Sequence, residues 1–430
     1  MHVLIITQQW APELGVPQLR GAWMVRALQQ AGHSVSVVTA PPHYPTGKLS
    51  SPLPEHQAGA IALGANGELV YRSNFREHSP SIPSRIVDQA VISTSSVAQA
   101  MRAINDQRPD LILASAPPLP SAFTARAVSL RTGIPYVVDL RDAWPELARY
   151  VGISDSILLG RTTLRGKLRT PVIDAGAALF SRALRGASGL IATSQVHAAH
   201  LALQYHKPTS ALSNIVIERE RAAEEETYAP ARPAERFSLL DGPLARPLRV
   251  LYAGTVGRAQ GIENVLWAAY YAKNAGYPIE LTVVGNGAHL KVVKSVAKHL
   301  GVDADFRGRV SREEAHQAYE ETDVALVHLK AWEPLQLTVP SKTFEAIASG
   351  RYVIGVLAGA AADIITRAGA GSVVTPEDPE ALGQTFVQLA NEPWRLSVNE
   401  HGDEWIDREL LRLDSEHTFV DFLEKLVAQR

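Results

Sequence analysis

In residues 339–355, VPSKTFEAIASGRYVIG, a loop closes at Pro340-Ser341, and apolar positions at Phe344, Ile347 and Ala348 predict a short helix. Gly350 stops that helix, and Tyr352 opens an apolar run that reads as a buried strand. A helix N-terminus gathers unpaired backbone N–H groups and the positive end of the helix dipole, which suits an anionic phosphate. Lys342 adds a full charge there, and Glu345, one turn on, can accept two hydrogen bonds from the hydroxyls of a ribose. Together they describe half of a nucleotide-sugar site. The alternative is an ordinary exposed Lys-Glu pair on a packed helix, and the rest of the chain has to choose between them.

Outward from this stretch, short apolar runs alternate with helix-patterned segments. The first half has runs at 3–7, 34–39, 111–114, 136–139 and 190–193, with helical patterns at 21–31 and 121–132. The second half has runs at 248–253, 279–284, 305–306, 324–329, 352–356 and 371–374. Such alternation predicts an α/β protein whose parallel sheets are covered by helices on both faces. Between the halves, from about residue 222 to 247, the chain turns to Ala, Glu, Arg and Pro, a linker composition. The expected organisation is a Rossmann-like domain at 1–225, a linker at 226–247, a second Rossmann-like domain at 248–405, and a closing helical segment at 406–430 that crosses back toward the first domain. Doubly wound domains bind ligands at the carboxyl ends of their strands, so a shared site is expected in a central cleft between the two.

With 430 residues, the chain suits two domains of about 200 residues each. A net charge of −2 lacks the basic field of a nucleic-acid binder. The absence of cysteine excludes disulfides, thiolate metal sites and cysteine nucleophiles, and fits a cytoplasmic protein. The opening MHVLIIT reads as a buried strand and not a signal peptide, and no run of about 18 apolar residues exists to span a bilayer.

The ordered set WAPELGVPQLRGAW, PPHYPTG, DLRDAWPE, YAGTVGRAQGIENVL, VVGNGAHL, FRGRV, VALVHL and VPSKTFEAIASG resembles the retaining GT-B glycosyltransferases of family four. It is most similar to the bacterial branch of fucosamine and hexosamine transferases that build cell-envelope sugars. The resemblance spans residue 1 to about 390.

That resemblance implies a donor site formed by Gly15, Gly257, Arg309, Val310, Ser341, Lys342 and Glu345. Gly15, in PELGVPQLR, would let backbone approach the donor diphosphate, or is a plain turn glycine; Arg20 faces either phosphate or solvent. The family's two diphosphate cations are replaced here by Thr255 and Gln260, which leaves Lys342 first and Arg258 second as catalytic charges on the leaving group; Arg258 has solvent exposure as its alternative. The first of two family glutamates is Leu337, where backbone amides of LQLTVP would hold the sugar, and the role of nearby Glu333 is open. FRGRV resembles the segment that holds the base through backbone groups, compatible with uridine without excluding guanosine. VVGNG reads as a structural turn. A histidine found in some members near a strand end is absent from Ser115-Ala116-Pro117-Pro118-Leu119.

For the acceptor, Asp139, Arg141 and Asp142 in DLRDAWPE are the expected polar group at a strand end, able to orient a hydroxyl, with Glu146 beside them. Helix capping is the alternative for Asp142. His43 and Tyr44 either line the same pocket or belong to a rigid loop. Arg161, Arg165, Lys167 and Arg169 put a basic face on one helix, for anionic lipid or for solvent. No metal is expected: Asp303-Ala304-Asp305 matches a metal pattern of another fold by accident, and the fourteen histidines show no ligand-spaced set, with His197 and His200 reading as a helix surface. GxSxG and GxxxxGK[ST] are absent, so hydrolase and P-loop readings lose support.

The expected function is a retaining, metal-independent hexosyltransferase without cofactor, moving an N-acetylated hexose or deoxyhexose from a UDP-sugar to a lipid-linked or small-molecule acceptor. It would work in the cytoplasm, at the inner membrane face if the basic helix rests on lipid. The alternatives are a degenerate homologue that binds nucleotide or a partner without turnover, and a nucleotide-sugar epimerase.

Overall fold

The apolar run that opens the chain forms β1 (His2–Ile6), buried along its whole length because parallel strands pair with it on both sides. It is followed by α1 (Val16–Gln30), β2 (Ser34–Thr39), β3 (Ile61–Leu63), β4 (Leu69–Arg72), α2 (Ile82–Asp106), β5 (Leu111–Ala116), α3 (Pro120–Thr132), β6 (Tyr136–Leu140), α4 (Leu164–Gly186), β7 (Gly189–Ala192), α5 (Gln195–Tyr205) and β8 (Thr209–Ala211). The computed structural model describes residues 1–13, 15–44, 46–79, 82–150, 164–216, 242–398 and 402–429. Among them these strands make an eight-stranded sheet ordered β3-β4-β2-β1-β5-β6-β7-β8, parallel except for β3. Strands β3 and β8 escaped the sequence reading because they are short and only partly buried, β4 because it is four residues long, and α2 because it begins in a Ser- and Pro-rich stretch. The side chains of Arg161, Arg165, Lys167 and Arg169, and the linker up to residue 241, lie outside the described residues.

The second series runs β9 (Leu248–Ala253), α6 (Ile262–Asn274), β10 (Ile279–Val284), α7 (Leu290–Leu300), β11 (Ala304–Gly308), α8 (Arg312–Glu320), β12 (Val324–His328), α9 (Ser341–Ala348), β13 (Tyr352–Val356), α10 (Ala360–Ala368), β14 (Gly371–Val374), α11 (Pro379–Asn391), α12 (Gly402–Leu413) and α13 (Ser415–Ala428). Its sheet is wholly parallel, in the order β11-β10-β9-β12-β13-β14. That is the strand order of a doubly wound Rossmann-like sheet, with the reversal of direction between β9 and β12. Local signals agree with the packing. Ser311 caps α8 by accepting from the Glu314 amide at 3.2 Å while the Glu314 carboxylate accepts from the Ser311 amide at 2.7 Å.

The chain divides into two compact units, Met1–Arg221 with Leu413–Arg430, and Ala222–Arg412. Two helices close the chain where one segment was expected: α12 falls in the second unit and α13 packs on the first. Phe419 of α13 meets Trp23 of α1 at 5.6 Å between ring centroids, and the Glu424 carboxylate lies 2.8 Å from His33 Nε2. No described helix is long and apolar enough to cross a membrane.

Arg20 faces neither phosphate nor solvent. It is 1 % exposed, and its guanidinium donates to Asp139 through Nε (3.1 Å) and Nη2 (2.7 Å), and to the Leu212 carbonyl through Nη1 (2.9 Å). Asp139 is fully buried and also accepts from Ser115 Oγ at 3.3 Å. Removing one member strands a buried charge, whereas removing both does not. Asp139→Asn is therefore expected to cost the first unit roughly 3–5 kcal/mol in urea unfolding, and Arg20→Met with Asp139→Leu to recover most of it.

Candidate functional site

Each unit gathers polar side chains at the carboxyl edge of its sheet. In the first unit the loop after β1 is held by buried acids. Glu13 Oε1 accepts from the amides of His43 (2.7 Å) and Tyr44 (2.6 Å), and Glu13 Oε2 from the Trp10 amide (3.2 Å) and Gln18 Nε2 (3.3 Å). Glu68 accepts from the Trp10 indole at 3.1 Å. Arg72 joins the same loops by donating to the carbonyls of Ala40 (2.9 Å) and Ala11 (2.6 Å). Burial lowers the Arg72 pKa to about 10, against the pull of Glu13 and Glu68. Sequence reading missed Glu13, Glu68 and Arg72, since nothing local distinguishes them from surface charges.

This scaffold sorts the expected acceptor residues. Asp139, expected to face the acceptor, is instead consumed by Arg20, because it sits on β6 where its side chain enters the core. Arg141 and Asp142 follow the strand and are half-buried. Burial pulls the Arg141 pKa down and pushes the Asp142 carboxyl up, each opposed by the other's charge. Tyr44 is 46 % exposed and close enough to act electrostatically on Arg141. His43 is turned inward, 6 % exposed and stacked on Phe75 at 4.6 Å between ring centroids. Glu146 accepts from Gln204 at 2.7 Å. His197, expected on a helix surface, is fully buried, and burial drops its pKa to about 4.

Gly15 is the N-cap of α1, with φ 162° in the extended range, and among the described residues a β-carbon there would meet only Gln18 Oε1 at 3.1 Å and Pro17 at 3.7 Å. The fold itself does not demand glycine at this position.

In the second unit Lys342 stands at the start of α9, whose N-cap, Pro340, makes no side-chain cap. Its Nζ donates to Tyr252 Oη at 2.8 Å and lies 4.6 Å from the centre of that ring, while Tyr252 Oη donates to the Thr255 carbonyl at 2.6 Å. A β-carbon at Gly285 (φ +134°) would collide with the Gly254 carbonyl, so glycine is required for that close approach, while at Gly254 (φ +145°), beside Lys342 Nζ, it is the backbone conformation that favours glycine. The VVGNG loop is thereby packed backbone to backbone on the loop after β9, the structural role read from sequence. Burial lowers the Lys342 pKa to about 8, opposed by the charge of Glu345. The ammonium stands at the switch point between β9 and β12, beside a helix N-terminus.

Gln260, at a position expected to carry a cation, accepts from the Gly257 amide at 3.1 Å and braces the loop that holds Arg258. Arg258 and Ser341 are half-buried, as are Val310 and Glu345, and Arg309 is exposed. Asp305 forms an exposed ion pair with Arg307 at 2.7 Å. Sequence reading also missed His328, buried at the end of β12 and held neutral by burial with a pKa of about 4, and the Lys330–Glu263 pair at 2.9 Å beside it.

Residues 18–210 match the family described as "Glycosyl transferase 4-like domain", and residues 247–392 match "Glycosyl transferases group 1". Together the matches cover most of the chain. The chain has the two-Rossmann fold of the GT-B class, and its two matched segments are glycosyltransferase domains. Similar curated proteins are the probable glycosyltransferase WbjE of Pseudomonas aeruginosa, 28% identical over 66% of this chain and 66% of its own, so the match spans just under two thirds of that relative. The putative colanic acid biosynthesis glycosyl transferase WcaI of Escherichia coli K12 is 26% identical over 70% of each chain. Among solved structures, sucrose-phosphate synthase from Thermosynechococcus elongatus (TM-score 0.68, 16% identity) and Anabaena HepE in complex with UDP and glucose (TM-score 0.61, 16% identity) share the fold over the full length of both chains.

Within this GT-B chain, an anion bound at Lys342 stabilises the protonated amine and raises its pKa. Pyrophosphate affinity is therefore expected to fall as pH rises through about 8, and Lys342→Met to flatten that dependence in a calorimetric titration. Without ligand the sign reverses for stability: the unfolded chain holds this proton up to the ordinary lysine range, so the contribution of Lys342 to folding improves as pH rises above about 8. Gly15→Ala is expected to leave stability within about 0.5 kcal/mol of the parent, so a rise in the KM of a ligand in that variant reports close approach of the ligand to the backbone.

Proposed function

We propose that this protein transfers a sugar from a UDP-sugar to a lipid-linked or small-molecule acceptor with retention of anomeric configuration, and that no metal assists departure of the leaving group. The observation that carries this reading is Lys342: a partly desolvated ammonium, fixed by Tyr252, at the uncapped start of α9 and the switch point of a Rossmann-type sheet. Such a charge is placed to meet a leaving diphosphate, with Arg258 as its second cation and the amides around Ser341 as donors. Glu345 would hold the ribose, and backbone groups at Arg309 and Val310 the base. Gly15 and Gly257 would allow close approach of the donor.

On the acceptor side Arg141, Asp142 and Tyr44 would orient the attacking hydroxyl. The carboxyl of Asp142, biased by burial toward its protonated form, is a weak base at most. Catalysis then rests on position and electrostatics, the hydroxyl attacking from the face that the diphosphate leaves. A UDP donor is supported by the UDP complex of HepE, and a cell-envelope product by the colanic acid role in the name of WcaI. An N-acetylated hexose or deoxyhexose follows from the motif resemblance. Thr255, Gln260 and Leu337 favour one second reading, a homologue that binds nucleotide without turnover.

Calorimetric titration of chelator-treated protein with UDP, GDP and their sugar conjugates tests the donor class. Selective UDP binding is expected, and binding of none would favour a partner-binding protein. Lys342→Ala should lower kcat about 100-fold with little change in KM, and Glu345→Gln should chiefly weaken UDP binding. Wild-type kinetics in the first variant would remove Lys342 from the site, and UDP binding without UDP release in the presence of acceptors would support the non-catalytic reading.

A further inference from the structure

Three side chains far apart in the sequence meet at the carboxyl edge of the first unit's sheet: His43 in the loop after β2, His78 in the loop after β4, and Asp88 in α2. One ring nitrogen of each histidine and one Asp88 oxygen all lie within 4.8 Å of one another. The expectation that no histidines cluster as ligands is thereby corrected, since only the chain's return through β4 and α2 brings these loops together.

The hydrogen bonds around the rings set their chemistry. His43 Nδ1 lies 2.7 Å from the Pro41 carbonyl and His78 Nδ1 3.0 Å from the Ser79 carbonyl. A carbonyl only accepts, so each Nδ1 carries the hydrogen, and in the neutral ring Nε2 keeps its lone pair. A backbone carbonyl on the far nitrogen is what orients a metal-bound histidine. Asp88 is fully buried; its Oδ1 accepts from the Arg76 amide at 3.1 Å, and its Oδ2 has no hydrogen-bond partner among the described residues. His78 Nε2 is 3.9 Å from that oxygen, too far for a hydrogen bond. Asp88 Oδ2 therefore meets two imidazoles with no donor to it among the described residues, an arrangement that a cation resolves.

The rings are also held in place. His43 stacks on Phe75. The 43–47 turn closes through Gly47 N–H to the His43 carbonyl at 2.8 Å, and His78 N–H donates to the Gly47 carbonyl at 2.9 Å. A β-carbon at Gly47 (φ +75°) would strike the His78 imidazole at 2.6 Å.

We infer that His43, His78 and Asp88 bind one divalent first-row transition ion, Zn²⁺ foremost. Two imidazole nitrogens and one carboxylate oxygen are a borderline-soft ligand set that leaves a coordination position open. The ion joins the loops after β2 and β4 to α2, and so steadies the loop that carries Tyr44. It takes no part in departure of the leaving group. The inference stands on the first unit alone and does not depend on the donor assignment.

The test uses the full chain without an affinity tag, stripped with chelator and titrated with Zn²⁺ by calorimetry, and with Co²⁺ by visible absorption. One equivalent should bind, Co²⁺ should give d–d bands, and His78→Ala and Asp88→Asn should each weaken binding more than about tenfold and remove the bands. His417→Ala, at an exposed histidine of α13, should bind as the parent does. Absence of saturable binding to the parent, or parental affinity in His78→Ala, would overturn the inference. Circular dichroism checks the fold of each variant, and if Asp88→Asn does not fold, His78→Ala decides alone.

Discussion

The ion pair of Arg20 and Asp139 is the constraint on which the first unit's functional edge hangs. Two charges removed from water must satisfy each other, and the bidentate geometry, with Ser115 and the Leu212 carbonyl completing it, leaves one arrangement of α1, β5, β6 and the segment after β8. Because Asp139 is fixed, the residues that follow it are fixed as well. Arg141 and Asp142 emerge from β6 at the sheet edge with burial biasing both toward neutrality. The loop after β1 is set by a second buried device, the Glu13 carboxylate, which gathers three backbone amides and a glutamine.

The second unit is organised by backbone proximity more than by charge. Gly285 against Gly254, and Gly287 against Val256, let the loops after β9 and β10 approach within backbone distances that a β-carbon forbids. Lys342 is chemically unlike a surface lysine. Tyr252 holds it from one side, and desolvation lowers its pKa. An ammonium that has lost solvent gains more from an arriving anion than a hydrated one would. Gln260, which stands where a cation was expected, stabilises the loop by accepting from Gly257, so the substitution changes the charge at that point without leaving the loop unsupported.

Much of the fold was legible in the sequence. The strands at 248–253, 279–284, 352–356 and 371–374 carry apolar runs bounded by turn residues, and the structure ends them at the same positions. Buried parallel strands impose that pattern, since both faces must be apolar. Strands β3 and β8 were not legible, for they are three residues long and sit at the sheet margins, where burial imposes little on composition. Of the candidate site residues, Lys342 was legible because a loop, a helix start and a glycine stop frame it locally.

The sequence by itself determined the alternation of strand and helix, the two-domain organisation and the likeness to glycosyltransferases, because these rest on local periodicity and on ordered short motifs. Only the tertiary structure decided which charges are spent on holding the fold and which stand at the sheet edges. Arg20 and Asp139 look as functional as Arg141 and Asp142 when read in a line. His43, His78 and Asp88 look unrelated until β4 and α2 return beside the loop after β2. Burial and pairing are properties of positions in space, and a side chain's chemistry follows from its neighbours across the fold more than from its neighbours along the chain.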